Sequence, residues 1–275
     1  MRWLIDAQRG ILTTTPSTSD SARESGHWYD DDAKLVTAVP YATPRKGTHS
    51  PTLRDAKKYK LRPSVTTILQ LLDKPALHTW AVKHAVEASL KAKRKDDEED
   101  VELVKRIIKY HEEHAKGLAA FGTQVHYGIS EGLSGKKAKL DPAPTGIVKE
   151  FWKWYNDSGF KVEKSEHTFV SPLGYAGTID FLGTLDGEPV IADFKTQDHT
   201  EEKDANFYDE YALQLAGYAI GTNNMERRRF SLVVSRTTPG LVTVHEWNNN
   251  VKWDRTFGYL WQLWKLLRDY DPLAP

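Results

Sequence analysis

Asp180 and the tripeptide Asp193-Phe194-Lys195 supply groups that can hold a hard divalent cation and act beside it: two carboxylates, a backbone carbonyl and an ammonium. They lie on two runs rich in β-branched and apolar residues, joined by Asp186-Gly187. Asp-Gly between such runs predicts a β-hairpin, because a type I′ turn needs positive φ at both central residues. A two-residue turn pairs Leu185 with Glu188 and sets Asp180 opposite Asp193, as a non-hydrogen-bonded pair with Cα atoms ~4.5 Å apart. Like charges facing each other across a sheet repel. The arrangement calls for a cation between them or a raised carboxyl pKa. A four-residue loop over 186–189 gives a second register, in which Asp180 meets Lys195 as an ordinary cross-strand salt bridge. Both registers keep Asp180, Asp193 and Lys195 on one face. The plain alternative to a site is a salt-bridged surface hairpin. As a site, the two carboxylates and the Phe194 carbonyl suit Mg²⁺. Such an ion lowers the pKa of a bound water and polarises a phosphoryl oxygen. Lys195 then orients the water or offsets charge in the transition state.

Other residues could join this cluster. His126, in Gly122-Thr123-Gln124-Val125-His126, is either a structural histidine or a nitrogen ligand, and a nitrogen tilts the preference toward Mn²⁺. Gly122, one turn earlier, permits close backbone approach. Gln214 and Tyr218 share a helix face and either contact a phosphate or hold Lys195. Glu166 shares the sheet face with Asp180 if the turn over 171–174 allows it. It then serves as a second-metal ligand or as a carboxylate standing behind the ligands. His111 and His114 lack the i, i+4 spacing of zinc proteases and are expected to face solvent. No glycine-rich phosphate loop and no nucleophile elbow occurs.

The elements that must position these groups follow from periodicity. Residues 1–62 are expected to form an irregular extension packed on the core, with short strands at 27–29 and 34–39. A turn of helix capped by Ser64 is expected over 63–72, and a helix from Pro75 to about Leu90. The basic-then-acidic block 91–100 reads as a solvated loop or helix end. A helix over 101–116 is expected to stop at Gly117, and another to run over 118–133. Its Lys105, Arg106 and Lys109 face either a phosphate backbone or water. Further helices are expected at 145–158, 201–221 and 253–270, with strands at 160–170, 229–236 and 241–247. This order describes an α/β domain with a small mixed β-sheet flanked by helices and a helical N-terminal region.

The 275 residues suit one large domain with an appendage, and 39% hydrophobic with 28% charged residues fits a globular chain. Formal net charge is zero, so nucleic-acid binding requires a local basic groove. The absence of cysteine excludes disulfides, thiolate nucleophiles and iron–sulfur clusters. No apolar run approaches the ~18 residues of a membrane span, and no secretory signal is evident, so no membrane partner and a cytoplasmic location are expected.

Together, Gly122-Thr123-x-x-His126, Gly177-Thr178-Ile179-Asp180, Asp193-Phe194-Lys195-Thr196 and Gln214-x-x-x-Tyr218 resemble the PD-(D/E)XK nuclease superfamily, in its RecB-like exonuclease branch. Residues 63–69 are similar to the segment that opens phage exonucleases and the mitochondrial genome maintenance exonuclease. The resemblance spans roughly residues 63–247. It implies a restriction-endonuclease-like core over 63–275 with a helical insertion at 75–117. It also implies a Mg²⁺- or Mn²⁺-dependent DNA exonuclease of a bacterial or phage-infected cell. His126, Asp180 and Asp193 would be its metal ligands, Lys195 its catalytic lysine, and Gln214 and Tyr218 its supporting pair. Single-stranded DNA or duplex ends would be the substrate, entering past Lys-rich helices with Trp80 or Tyr110 for base stacking. A single-strand annealing or binding protein would be a partner. The chain has Asp193 where many relatives carry Glu, which shortens the ligand and keeps its chemistry. A non-catalytic binding or assembly protein, or a structure-specific endonuclease, is the competing expectation.

Overall fold

A computed structural model of the chain describes residues 5–6, 11–13, 26–41 and 46–274. Short strands open it: β1 (Ile5–Asp6), β2 (Ile11–Thr13), β3 (Trp28–Tyr29), β4 (Leu35–Pro40) and β5 (Thr48–His49). Then come α1 (Leu53–Tyr59), β6 (Arg62–Pro63) and α2 (Val65–Leu69). These strands form a small antiparallel sheet, ordered β1-β2-β4-β3-β6 with β5 on β4; β3 and β4 are the short strands expected, while β1, β2, β5 and α1 fall where irregular chain was expected. Local chemistry explains the β3–β4 turn. Asp30 Oδ1 accepts both the Asp32 and Lys34 amides at 2.9 Å, and Ala33 takes a positive φ. Trp28, Val36, Val39, Ala56 and Leu61 are buried in one cluster with α2 and later helices.

The chain continues through α3 (Pro75–Lys91), α4 (Asp100–Leu133), α5 (Pro142–Asp157), β7 (Phe160–Val170), β8 (Ala176–Leu185) and β9 (Glu188–Gln197). It closes with α6 (Asp209–Gly221), β10 (Arg228–Ser235), β11 (Val242–Glu246) and α7 (Asn250–Arg268). Two boundaries differ from expectation. Gly117 does not break α4, which runs unbroken for 34 residues. A helical glycine costs only about 1 kcal/mol relative to alanine, and strong helix formers flank this one. Residues 201–208 are not helical: Thr200 and Lys203 close a turn on each other's backbone, and α6 starts at Asp209.

The main sheet has the order β11-β10-β9-β8-β7. Only β9 and β10 are parallel among these neighbours, and α6 makes the crossover between them. One face packs on α4 and α5 through Val125, Ile129, Phe151, Phe181 and Phe194. The other packs on α2, α6 and α7 through Leu182, Ile191, Leu215 and Trp261. α3 stands apart from both layers and has no buried residue.

A buried ion pair locks β10 to α7. Arg229, with a fully buried side chain, meets Asp254 at 2.5 and 3.2 Å. Replacing Asp254 by alanine is expected to lower stability by about 3 kcal/mol, because the guanidinium keeps its charge and loses its partner. A denaturant midpoint within error of the parent's would show that water replaces the carboxylate at no cost.

Candidate functional site

The turn chemistry of β8–β9 decides the register. Asp186 and Gly187 have φ of +52° and +88°, and Leu185 pairs with Glu188, as the two-residue turn requires. The four-residue alternative is excluded. Pairing runs inward to Phe181 with Ala192 and ends there. One step further, Asp180 falls opposite Asp193, and the side chain of Asp180 replaces the next backbone acceptor. Its Oδ2 accepts the Phe194 N–H at 2.8 Å. Asp180, Asp193 and Lys195 share the face that carries Leu182 and Ile191 toward α6.

The two carboxylates do not rely on one another. Each has its own cation. His126 Nε2 lies 2.9 Å from Asp180 Oδ2, and Lys195 Nζ lies 2.5 Å from Asp193 Oδ2. His126 reaches Asp180 because Gly122 lets α4 come close to β9. A Cβ on Gly122 would stand 2.6 Å from Thr196 Oγ1. The Phe194 ring supports the imidazole edge-on, with centroids 6.0 Å apart.

Glu166 is the third member. The β7–β8 register pairs Ser165 with Phe181 and His167 with Ile179, so Glu166 stands across from Asp180. Its backbone adopts φ +50°, unusual for a non-glycine residue in a strand. Its Oε1 lies 3.5 Å from His126 Nδ1. Among the described residues, His126, Glu166 and Asp180 are the one trio whose ligand atoms all lie within 4.8 Å of one another. One nitrogen and carboxylate oxygens make a donor set suited to Mn²⁺ or Mg²⁺. Asp193 stands beside this trio and not within it. Its Oδ2 faces Lys195 off the hydrogen-bonding axis and has no aligned hydrogen bond.

Gln214 and Tyr218 are 7% and 4% exposed; Gln214 bonds Lys195 and Asp193, and Tyr218 bonds Gln214 from behind. Lys195 Nζ donates to Gln214 Oε1 at 3.0 Å, and Gln214 Nε2 donates to Asp193 Oδ1 and to Tyr218 Oη, both at 2.7 Å.

Burial and charge set the protonation states. Burial alone would lower His126, but the charges of Asp180 and Glu166 outweigh it and lift the imidazole to about 9. Burial opposes ionisation of Asp180, yet His126 and Lys195 hold its carboxyl below the usual range. Burial pushes Asp193 up more strongly than Lys195 pulls it down. Burial likewise opposes the Lys195 charge, and Asp193 and Asp180 override it. Partial burial, the largest influence on Glu166, lifts it to about 6 against the pull of His126.

Tyr29, Thr168 and Tyr211 contribute to the site from outside the quoted motifs. Tyr29, from the N-terminal sheet, bonds Thr178 Oγ1 at 3.0 Å, and Thr178 lies 3.2 Å from Thr168 Oγ1. This hydroxyl chain sits one strand period from Asp180 and Glu166. Lys195 also lies over the Tyr211 ring, 5.2 Å from its centroid. Thr178 could have been inferred from strand period; Tyr29 could not, since nothing local links residue 29 to residue 178.

His111 and His114 were expected to face solvent; His114 is exposed and His111 half-buried, and both meet a third histidine. His84 Nδ1 lies 2.9 Å from His111 Nδ1, and the His84 and His114 rings stack with centroids 4.3 Å apart. Arg106 is drawn away from any outside phosphate by a bidentate bond to Glu98, both contacts being 2.8 Å. Lys109 lies 3.8 Å from Glu113.

A model of the PD-(D/E)XK nuclease superfamily matches residues 74–271. The match begins later and extends further than the resemblance read from the motifs, and it leaves Tyr29 outside. No curated protein matches the chain. A solved structure described as "Crystal structure of SSO0001" aligns at 13% identity over 68% of this chain and 86% of that one, with a TM-score of 0.29.

Proposed function

The chain belongs to the PD-(D/E)XK nuclease superfamily, and from that premise we propose that it is a Mg²⁺- or Mn²⁺-dependent DNA exonuclease that hydrolyses phosphodiester bonds from strand ends. The observation that carries this reading is the juxtaposition of the His126–Glu166–Asp180 trio with Lys195, itself fixed between Asp193 and Gln214. A cation held by His126, Glu166 and Asp180, with Asp193 and the Phe194 carbonyl as further donors at its margin, would activate water and polarise the scissile phosphate. Lys195 brings a positive charge whose donor directions Asp193 and Gln214 restrict. It can orient the attacking water and offset charge that grows on phosphorus oxygens. Gln214 positions Lys195, and Tyr218 positions Gln214.

The α3–α4 hairpin supports a single-strand entry path. Val101, Val104, Ile108, Ala115, Ala119, Gly122 and His126 fall along one stripe of α4 at the 3.6-residue period. That stripe leads from the hairpin tip to the site. Exposed Lys105 lies on its margin. Tyr110 is 55% exposed and suits base stacking, whereas Trp80 is half-buried and stacked on His84.

The test is digestion of 5′- and 3′-labelled DNA, single- and double-stranded, with Mg²⁺ or Mn²⁺ and with chelator. Release of short products from ends, stopped by chelator, is expected. Cleavage of covalently closed circles at the same rate would make the protein an endonuclease. No cleavage of any DNA, or full cleavage in chelator, would end the proposal.

Metal binding should also depend on pH. An imidazole raised from 6.5 to about 9 holds its proton at neutral pH, so a cation that takes His126 must expel it. Affinity is expected to rise about tenfold per pH unit up to about pH 9 for one displaced proton. In the metal-free protein the sign is opposite. The raised His126 contributes stability that is full below pH 6.5 as long as Asp180 stays ionised, and that contribution is lost as pH rises through about 9. Calorimetric titration with Mn²⁺ in buffers of different ionisation enthalpy counts the protons. Affinity that is flat in pH would remove His126 from the ligand set.

A further inference from the structure

We infer that the α3–α4 hairpin carries a second metal site, for a divalent transition metal of the zinc, nickel or copper class, with His84 and His111 as its seat and His114 as its third donor. His84 comes from α3 and the other two from α4, so a bound ion would pin one helix to the other. The seat is already close: Nδ1 of His84 and Nδ1 of His111 lie 2.9 Å apart. With metal–nitrogen bonds of ~2.05 Å, that separation corresponds to an angle of ~90° at an ion between them. His111 and His114 are three residues apart and project from neighbouring positions on α4. His114 lies flat against His84, at 25° between planes, and must turn to aim a nitrogen at the seat. It is exposed and has room to do so.

The chemistry differs from that of the carboxylate site. Three imidazoles without a carboxylate among them favour Zn²⁺, Ni²⁺ or Cu²⁺ over Mg²⁺. The rings are held in place by aromatic neighbours. Trp80 stacks on His84 at 5.3 Å and Tyr110 lies near-parallel to it at 6.2 Å.

Apart from the Arg106 bonds to Glu98 and the Lys93 carbonyl at its loop end, the hairpin has little to fasten it. α3 buries no residue, and Leu77, Val82, Val86 and Leu90 are each at least half exposed. Small elements without a core depend on such staples, and an ion that binds only the docked state stabilises it by mass action. The competing account is a neutral pair in which one Nδ1–H donates to the other's lone pair.

Zinc chloride alone, with no DNA and no Mg²⁺, separates the two accounts on the full chain. The His126→Ala variant removes a nitrogen ligand from the carboxylate site and is the working background. Equilibrium dialysis with elemental analysis is expected to show one bound zinc there, with slowed amide exchange over residues 75–99. Adding His84→Phe or His111→Phe preserves ring stacking and removes a donor. Either change should weaken zinc binding by about tenfold or more and abolish the protection, without loss of helical circular dichroism. His111→Cys should restore binding, since a thiolate is a good zinc ligand. Unchanged zinc stoichiometry and protection in both phenylalanine variants would overturn the site. So would the absence of bound zinc in the His126→Ala background and in the parent. Neither outcome depends on whether the protein cleaves DNA.

Discussion

Lys195→Ala is expected to reduce turnover on DNA by about 10²–10³ while metal and DNA affinities stay within a few-fold, the pattern of a group used only in the transition state. The expectation rests on where the ammonium is held. Asp193 at 2.5 Å balances its charge and Gln214 at 3.0 Å accepts one of its three protons, which leaves donor capacity for water or phosphate. Removing Lys195 also removes the cation that balances Asp193, a 1%-exposed carboxylate. Two consequences follow, and they differ. If Asp193 helps bind the metal, the ion takes over its charge and affinity holds. If Asp193 merely pairs with Lys195, the orphaned carboxyl takes up a proton, and metal affinity still holds, because Asp193 was never a ligand. Asp193→Asn in the same background distinguishes these cases, since only the first then loses metal. Steady-state kinetics with saturating metal, beside filter binding, would show the split. A fall in affinity as large as the fall in rate would make Lys195 a structural counter-ion. Lys195→Arg should not rescue the rate, because a planar fork cannot occupy the same tight pocket.

The hairpin was legible because its signals are local. Asp186-Gly187 selects its own turn, strand parity carries the consequence to Asp180 and Asp193, and helix spacing puts Gln214 with Tyr218. What parity could not reveal is how the acidic crowding is relieved. The expectation was a cation between opposed carboxylates or a raised carboxyl pKa, and Asp193 is indeed pushed up, chiefly by burial. The protein assigns His126 to one and Lys195 to the other, and shifts the tightest ligand trio toward Glu166. That outcome depends on α4 crossing β9 at Gly122, a tertiary contact with only a glycine as trace. Glu166 was less legible because its place depends on the register set by the turn over 171–174 and on its own left-handed backbone. Gly117 misled for the opposite reason. A glycine is only a weak local stop, and the continuous helix carries His126 beyond the hairpin.

Asp180→Asn should have the largest effect of any single substitution: loss of cleavage by about 10³ or more and metal affinity weakened by at least ~100-fold. Asparagine preserves the volume, and its oxygen can still accept the Phe194 N–H, so the end of the β8–β9 ladder is kept. What goes is one negative charge in a nearly closed environment, where Asp180 is 8% exposed. The change can be read without any metal or DNA. Asp180 is the principal influence that lifts His126 to about 9, so in Asp180→Asn the imidazole should titrate well below that value, toward 6.5. Proton or nitrogen NMR of the imidazole in metal-free protein reports this directly. The same substitution lowers the proton cost of binding an ion at His126, which on its own would favour the metal. A net loss of affinity therefore has to come from a missing ligand and not from the histidine. If His126 falls as expected while Mn²⁺ binds as tightly as before, Asp180 serves the imidazole alone, and the metal must be held by Glu166 and Asp193.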